Sequence, residues 1–227
     1  MRVDARPLVV QSIALFLALA LALFAPAGTL VWPVGWLYLV LFLGFFLSVN
    51  GWLSRRNPGS LEERSRLSRA DQQGWDKTLF PLLLVPVVAW LVFISADAVR
   101  LHWSPEPVWL QLVEAIVLLC SFYLIFLTFR ENSYLSTVVR VQTERGHCVV
   151  STGPYHYVRH PMYAGFLLFM TGTPLFLGSW HGALLGLAFM LVLARRAVLE
   201  ERALRVALPA YAAYLARVRY RFVPYVW

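Results

Sequence analysis

The part of the sequence best suited to chemistry is a short polar stretch, Gly153–Gly165, that lies between two long apolar stretches. It holds the Arg159-His160 pair together with two glycines, two prolines and three tyrosines. Polar groups beside apolar helices are costly unless they bind something, and glycine and proline shape the backbone around them. We therefore interpret this stretch as the wall of a pocket for a polar or charged ligand.

The order of residues within the stretch predicts where the pocket lies. Pro161 suits the first turn of a helix and disfavours helical backbone at His160. The Arg159-His160 pair is thus expected at a helix N-terminus, where free backbone N–H groups favour an anionic or polar ligand. Gly165 follows one turn later and allows a close approach. The alternative is that these side chains only anchor the helix among lipid headgroups.

An acidic pair, Glu200-Glu201, ends the last apolar stretch. Its spacing allows i, i+4 ion pairs of Arg196 with Glu200 and of Glu201 with Arg205, which would make it an ordinary helix-surface charge ladder. The other interpretation is a buried carboxylate that balances a cationic cofactor, such as a sulfonium. A tight helical hairpin would bring the end of the last helix back beside the preceding helix, so we expect Glu200 and His160 to be neighbours.

Other chemistry is less well supported. The spacing of His147, Cys148, His156 and His160 fits no zinc pattern, so we predict no metal site. The sequence also shows no glycine-rich phosphate loop after a strand and no recognisable Ser-His-Asp order.

The amino-acid composition indicates what kind of structure positions these residues. The chain has 227 residues, of which 59% are hydrophobic and only 14% charged, with a mean hydropathy of +0.64; a soluble domain would carry roughly 25% charge. The sequence therefore predicts an integral membrane protein. The net charge of +8 does not indicate nucleic-acid binding, because the basic residues flank apolar segments as topology signals do.

We predict an all-α fold, a polytopic transmembrane helical bundle of about six spans with both termini in the cytoplasm. Each predicted span is near the ~20 residues that cross a bilayer. Only Ser179–His181 separates the last two, which should form a tight helical hairpin. The spans are placed at about 8–27, 32–53, 79–97, 107–128, 162–178 and 182–199.

The basic residues support this topology. With a cytoplasmic N-terminus, every one of the 20 lysines and arginines except Arg100 falls on the cytoplasmic side, as the positive-inside rule requires. The active site is therefore expected to face the cytoplasm. Asp97, His102 and Glu106 fall on the outer face, where we expect them to be solvated.

The chain divides into two regions by content. Residues 1–128 hold four spans and a cytoplasmic loop, 54–78, with a short surface helix expected after Asn57-Pro58-Gly59. Residues 129–227 hold a long polar loop, the hairpin and a tail, and form the predicted cofactor-binding and catalytic region. Helical spacing in the tail, residues 200–219, predicts an amphipathic segment on the membrane surface that is broken near Pro209.

Taken together, the ordered motifs resemble the isoprenylcysteine carboxyl methyltransferase family, within the wider group that includes phospholipid N-methyltransferases. The resemblance covers roughly residues 129–227, while the first three spans are similar to the family only in hydropathy. The motifs that carry it are Gly153-Pro154-Tyr155, Arg159–Gly165, the Arg-x-x-x-Glu-Glu pattern of Arg196–Glu201, Tyr211, Tyr214 and Val223-Pro224.

The resemblance implies S-adenosylmethionine as the cofactor and methyl transfer to a lipid-like or prenylated carboxylate, thiol or amine. It places Arg196, Glu200 and Glu201 in the catalytic centre, with Arg196 on the substrate side. It also implies the following cofactor contacts, to which the motif adds Arg159 and Gly165: Gln142, His147, Cys148, Val149, Val150, Tyr155, His160, Pro161, Met162, Tyr163 and Glu200.

One rival class shares part of the pattern. Membrane sterol or enone reductases that use NADPH resemble this chain in the Arg-His-Pro-x-Tyr-x-Gly motif and in a terminal Pro-Tyr, here Pro224-Tyr225. The Glu200-Glu201 pair favours the methyltransferase, because it suits a sulfonium and repels additional phosphates. The expected partners are membrane lipids and a lipophilic or prenylated acceptor. The oligomeric state is left open.

Overall fold

The computed structural model describes residues 6–65, 72–140 and 142–227, and the regular secondary structure of these residues is entirely helical. The topology prediction also used Arg2, Arg66 and Arg69, which lie outside the described residues, as do the side chains of Arg6 and Arg64. The helices are α1 (Arg6–Ala27), α2 (Pro33–Arg56), α3 (Pro58–Ser65), α4 (Gly74–Ser95, continued by a π-helical segment Ala96–Leu101), α5 (Val108–Glu131), α6 (Pro161–Leu177), α7 (Trp180–Ala207) and α8 (Tyr211–Arg217).

Four helical segments among the described residues are long and apolar enough to cross a membrane: Val9–Ala27, Pro33–Arg56, Val108–Glu131 and Trp180–Ala207. This is the character of an integral membrane protein. The apolar helix α6 is shorter, with 17 residues. Helix α4 coincides with the predicted third span, although its side chains at 79–84 lie outside the described residues. The number of spans and the cytoplasmic orientation of the termini stay predictions.

Several predicted boundaries shift in the structure. The segment 54–78 is not one long loop, because α2 runs to Arg56, α3 follows directly, and α4 begins at Gly74. The short helix expected after Asn57-Pro58-Gly59 is confirmed as α3. Helix α7 continues to Ala207, about two turns beyond the predicted end at 199. Consequently Glu200 and Glu201 lie within a helix, where adjacent residues point in different directions.

Helices α5, α6 and α7 pack closely where they cross, and small residues permit the approach. A Cβ atom placed on Gly165 would lie 2.6 Å from Cγ1 of Ile125 in α5. The Oγ atom of Ser121, also in α5, donates a hydrogen bond of 2.9 Å to the carbonyl of Gly165. A Cβ on Gly186 of α7 would overlap the carbonyl of Met170 in α6. Small residues and cross-helix hydrogen bonds of this kind are how helices associate in lipid.

The turn between α6 and α7 is short and internally bonded. Gly178 has φ +95°, which favours glycine, and Ser179 caps α7 by accepting a hydrogen bond from the N–H of Gly182 at 3.0 Å. The Ser179 hydroxyl also donates to Asp97, which is 0% exposed and receives a second hydrogen bond of 2.7 Å from Ser104. The expectation that Asp97 is solvated was therefore wrong, because it anchors this turn.

The tail differs from the predicted surface helix. Helix α7 ends at Ala207, the chain breaks around Pro209 as expected, and α8 begins at Tyr211. Tyr211 and Tyr214 are buried against the rest of the protein, whereas Val206, near the end of α7, is 89% exposed. The break turns α8 inward, so its aromatic residues form part of the protein interior.

Candidate functional site

A cavity of about 280 Å³ opens at one end of the bundle. The C-terminal end of α5, the N-terminal end of α6 and the last turns of α7 surround it, together with residues from the segments 132–140 and 147–150 and from α8. Eleven of the residues predicted from sequence line this cavity. They are His147, Cys148, Val149, Val150, Tyr155, Arg159, His160, Met162, Tyr163, Arg196 and Glu200.

Four other predicted residues lie outside the cavity wall. Gln142 is 0% exposed, and its amide braces the loop by donating to the Tyr134 carbonyl at 2.6 Å and accepting from Arg145 at 2.5 Å. Pro161 opens α6, and Gly165 faces α5. Glu201 is buried behind the wall. Direct contact of these residues with a cofactor stays a prediction, whereas their structural roles are visible.

Glu201 is the centre of a buried ionic cluster. Its carboxylate accepts hydrogen bonds from Arg159 at 3.0 Å and from two nitrogens of Arg221 at 3.1 and 3.0 Å, and it lies 3.3 Å from Nε2 of His160. Its side chain is only 5% exposed. The predicted surface pair with Arg205 is thus replaced by partners from the polar motif and the C-terminal segment. A buried charge with this many donors is well compensated.

Arg159 extends this cluster to the C-terminal segment. Its Nε atom donates to the carbonyl of Val218 at 2.8 Å, and Nη2 donates to the carbonyl of Arg219 at 2.6 Å. The backbone N–H groups of Arg159 and His160 donate to the carbonyls of Tyr220 and Arg221, both at 2.9 Å. The polar motif therefore builds the site by holding the C-terminal segment in place.

Glu200, in contrast, faces the cavity. Its Oε2 atom accepts a hydrogen bond of 3.1 Å from the hydroxyl of Tyr163, whose ring stacks on His160 with ring centroids 5.5 Å apart. The hairpin thus brings the acidic pair beside the motif, and the expected proximity is confirmed. The two glutamates therefore have different roles. Glu201 links α7 to the polar motif and to the C-terminal segment, and Glu200 presents a half-buried carboxylate to the cavity.

Arg196 lies on the same wall, one turn before Glu200. Its side chain is 11% exposed; Nε donates to Asp76 Oδ1 at 3.1 Å, and Nη2 donates to the carbonyl of Thr137 at 3.0 Å. One interpretation of the sequence paired Arg196 with Glu200; the ionic partner in the structure is Asp76, which lies 120 positions earlier. Asp76 was missed because its only local signal, an acidic residue in a first helical turn, is common at helix starts.

Another part of the wall is formed by His147 and Tyr134, whose rings stack with centroids 4.5 Å apart. The Tyr134 hydroxyl donates to the carbonyl of Gly146 at 3.0 Å, and the N–H of Gln142 donates to Nδ1 of His147 at 3.3 Å. Burial, followed by the neighbouring Arg145, lowers the pKa of His147 below its usual value. The imidazole is therefore neutral at pH 7, in agreement with its role as an acceptor.

Two tyrosines close the cavity near α8. The hydroxyl of Tyr214 donates to the carbonyl of Tyr155 at 2.8 Å, while Tyr155 accepts a hydrogen bond of 2.9 Å from the amide of Asn132. Burial raises the pKa of Tyr214 to about 12, so its phenol stays protonated and acts as a donor. Asn132 and Tyr134 were not predicted as lining residues; both follow α5 in the polar loop that the sequence had marked as functional.

Comparison with known proteins finds similarity to one family in the region of the site. Residues 112–206 match the isoprenylcysteine carboxyl methyltransferase (ICMT) family. The family resemblance predicted from the motifs is thereby confirmed. A curated relative, protein-S-isoprenylcysteine O-methyltransferase from Schizosaccharomyces pombe, is 41% identical to this chain over 58 residues. That stretch covers 26% of this chain and only 23% of the relative, so the similarity spans about a quarter of each protein.

The ICMT match contains most of the cavity wall. It includes the end of α5, the polar loop, α6 and the acidic end of α7, but neither Asp76 nor α8. The alternative of an NADPH-dependent reductase finds no support in these comparisons.

Proposed function

We propose that the protein is a membrane methyltransferase that uses S-adenosylmethionine and acts on a prenylated cysteine carboxylate. The observation that carries this proposal is the position of Glu200. Within the ICMT-matched region, Glu200 lines the cavity and is oriented by Tyr163, while its neighbour Glu201 is fully engaged with arginines. A carboxylate held in this way is a counter-charge for a cationic ligand.

The residues present fit this cofactor. The cavity, at about 280 Å³, lies just below the roughly 300–1,000 Å³ range of small-molecule sites, and its wall combines tyrosine rings with the carboxylate of Glu200. Residues 147–150 lie outside regular secondary structure, so helix hydrogen bonds do not consume their peptide groups. When bound, the cofactor would supply an electrophilic methyl group on a sulfonium.

Arg196 is the residue we assign to the acceptor. Its guanidinium lies on the wall one turn from Glu200, and a carboxylate is the natural partner of such a group. A carboxylate nucleophile is ionised at neutral pH and needs no general base. The contribution of the protein is then alignment of the acceptor with the methyl group, which supplies much of the rate in displacement reactions.

The inner wall of the cavity is apolar and suits a lipid chain. Phe129, Met162 and Phe166 line it, and they pack with Leu53 and Ile125 in a cluster between α2, α5 and α6. We therefore place the lipid tail of the acceptor on this side, with entry between helices, and the cofactor on the polar side near His147. The orientation of the polar side toward the cytoplasm is part of the proposal.

The proposal is tested with purified protein in detergent or nanodiscs. Calorimetric titration should show binding of S-adenosylmethionine and none of NADPH, and the reverse result would refute the assignment. Transfer of a labelled methyl group should then be compared between a farnesylated cysteine analogue and a total lipid extract. Labelling of the cysteine analogue as a base-labile ester is expected; labelling of lipid amines alone would identify a different acceptor.

A further inference from the structure

Asp76 is a fully buried carboxylate that lies outside the ICMT-matched region yet reaches the site. It belongs to the first turn of α4 and is 0% exposed. Its Oδ1 atom accepts from Nε of Arg196 at 3.1 Å. Its Oδ2 atom accepts from the backbone N–H of Val139 at 2.7 Å and from the amide of Gln72 at 2.9 Å. Both oxygens are therefore occupied by donors from three separate parts of the chain.

These contacts form a junction, which we call the Asp76 junction, between α4, the loop at residues 137–139 and α7. Besides the bonds of Asp76 itself, the N–H of Gln73 donates to the carbonyl of Val139 at 2.9 Å, and Arg196 donates to the carbonyl of Thr137 at 3.0 Å. Gln73 and Val139 also line the cavity. The N-terminal half of the chain thus contributes a piece of the wall, next to Arg196.

Two hydrogen bonds fix the orientation of the Arg196 guanidinium, whereas a single bond would leave it free to rotate. A bond at Nε together with a bond at Nη2 fixes the plane of the group, because the guanidinium is rigid and planar. An arginine on a cavity wall without such partners would lose considerable side-chain entropy on binding a ligand. Asp76 therefore holds Arg196 in one orientation before the acceptor arrives.

We propose that Asp76 is a positioning residue for the acceptor, acting through Arg196; this rests on the proposed function. It should affect the acceptor more than the cofactor, because the hydrogen bonds described for Asp76 go to Gln72, Val139 and Arg196. Its influence on Tyr163, on the cofactor side, is electrostatic. Loss of its charge should then raise KM for the prenylcysteine substrate, with little change in the affinity for S-adenosylmethionine.

A second buried ion pair supplies a matched control. Arg140 donates from Nε to Glu63 at 2.8 Å, with side chains that are 4% and 3% exposed, and joins α3 to the same polar loop. Glu63 has no described contact with Arg196. Glu63→Gln therefore removes a buried charge that braces the loop, as Asp76→Asn does, but it removes no hydrogen bond described for Arg196.

The experiment compares Asp76→Asn, Arg196→Gln, the double variant and Glu63→Gln. For each variant, KM and kcat with a farnesylcysteine analogue, calorimetric binding of S-adenosylmethionine and the unfolding temperature are measured. We expect Asp76→Asn to raise KM roughly tenfold, as coupled contacting residues do, and to leave cofactor affinity within about twofold. In the Arg196→Gln background, Asp76→Asn should have no further effect on KM. Glu63→Gln should lower the unfolding temperature but raise KM much less than Asp76→Asn does.

Two results would overturn the positioning role. The first is that Asp76→Asn weakens binding of S-adenosylmethionine as much as it raises KM for the farnesylcysteine analogue. The second is that the increases in KM caused by Asp76→Asn and by Arg196→Gln multiply in the double variant. If Asp76→Asn does not fold, Asp76→Glu keeps the charge while displacing it by one methylene, and it should still raise KM selectively. If the wild-type protein transfers no methyl group to the analogue, the proposed function itself fails. That outcome is distinct from an active wild-type enzyme in which the two substitutions act independently on KM.

Discussion

Glu200 and Glu201 are adjacent in sequence but have different surroundings, so they should respond differently to loss of charge. Glu200 faces the cavity with one hydrogen bond from Tyr163, whereas Glu201 is surrounded by Arg159, His160 and Arg221. We expect Glu200→Gln to weaken binding of S-adenosylmethionine by at least about tenfold, because a charge-assisted contact is lost. Its unfolding temperature should stay near that of the wild type.

The neighbouring variant, Glu201→Gln, provides the contrast. It removes a buried carboxylate that compensates the partly exposed Arg159 and Arg221, so the free energy of unfolding should fall by about 3 kcal/mol. Calorimetry for binding and thermal unfolding in detergent distinguish the two effects. A Glu200→Gln protein that binds the cofactor normally would remove Glu200 from the site, whatever happens at Glu201.

The buried imidazole of His147 should make the stability of the protein depend on pH. Burial lowers its pKa from the ordinary value of 6.5, so the unfolded chain binds a proton at higher pH than the folded protein does. The stabilisation from the neutral ring is complete above about pH 6.5 and is lost as the pH falls through the lower folded-state pKa. The unfolding temperature of the wild type should therefore fall relative to His147→Gln between pH 7 and pH 5. Parallel curves for the two proteins would contradict this assignment.

At the scale of elements, the crossing of α5 and α6 depends on Gly165. Gly165→Ala would place a methyl group against Ile125, and overpacking of this kind costs about 1–3 kcal/mol. Gly44→Ala in α2 is the matched control, because nothing lies within 4 Å of its added Cβ and helix propensity favours alanine by about 1 kcal/mol. Thermal unfolding should separate the two variants in opposite directions; equal unfolding temperatures would mean that the crossing can relax freely.

The elements also show which parts of the site the sequence could predict. The Arg159-His160-Pro161 order marked a helix start, and the short Ser179–His181 link marked a hairpin, so the proximity of the motif to the acidic pair followed from local signals. Asp76 and Asp97 gave no such signal. Each is buried by partners far away in the chain, Arg196 and Ser179 respectively, and hydropathy alone places both in solvent.

The tail illustrates the same limit. Its helical spacing was clear and its break at Pro209 was expected, but the direction of the chain after the break depends on tertiary contacts. Tyr214 bonds to the carbonyl of Tyr155 across 59 residues, and this contact turns α8 toward the cavity. A periodic pattern defines which residues share a face, but not what covers that face.

At the scale of the molecule, the predicted orientation in the membrane is open to a direct test. Cys148 and Trp103 are both exposed, and the topology places them on opposite sides. In sealed vesicles with the native outer face outside, an impermeant maleimide should label Trp103→Cys, in a protein without Cys120 and Cys148. Native Cys148, in a Cys120→Ser protein, should react only after permeabilisation. Labelling of both from outside would refute the arrangement with cytoplasmic ends.

The Asp76 junction also has a consequence for the order of events during synthesis. Asp76 leaves the ribosome 120 residues before Arg196, and at about 5–20 residues per second that delay lasts roughly 6 to 24 seconds. Over this interval the carboxylate lacks the arginine that compensates its burial, so the start of α4 must stay hydrated until α7 is inserted. The Asp76 junction is therefore completed only by α7, and a nascent chain arrested before Arg196 should leave Asp76 accessible to water.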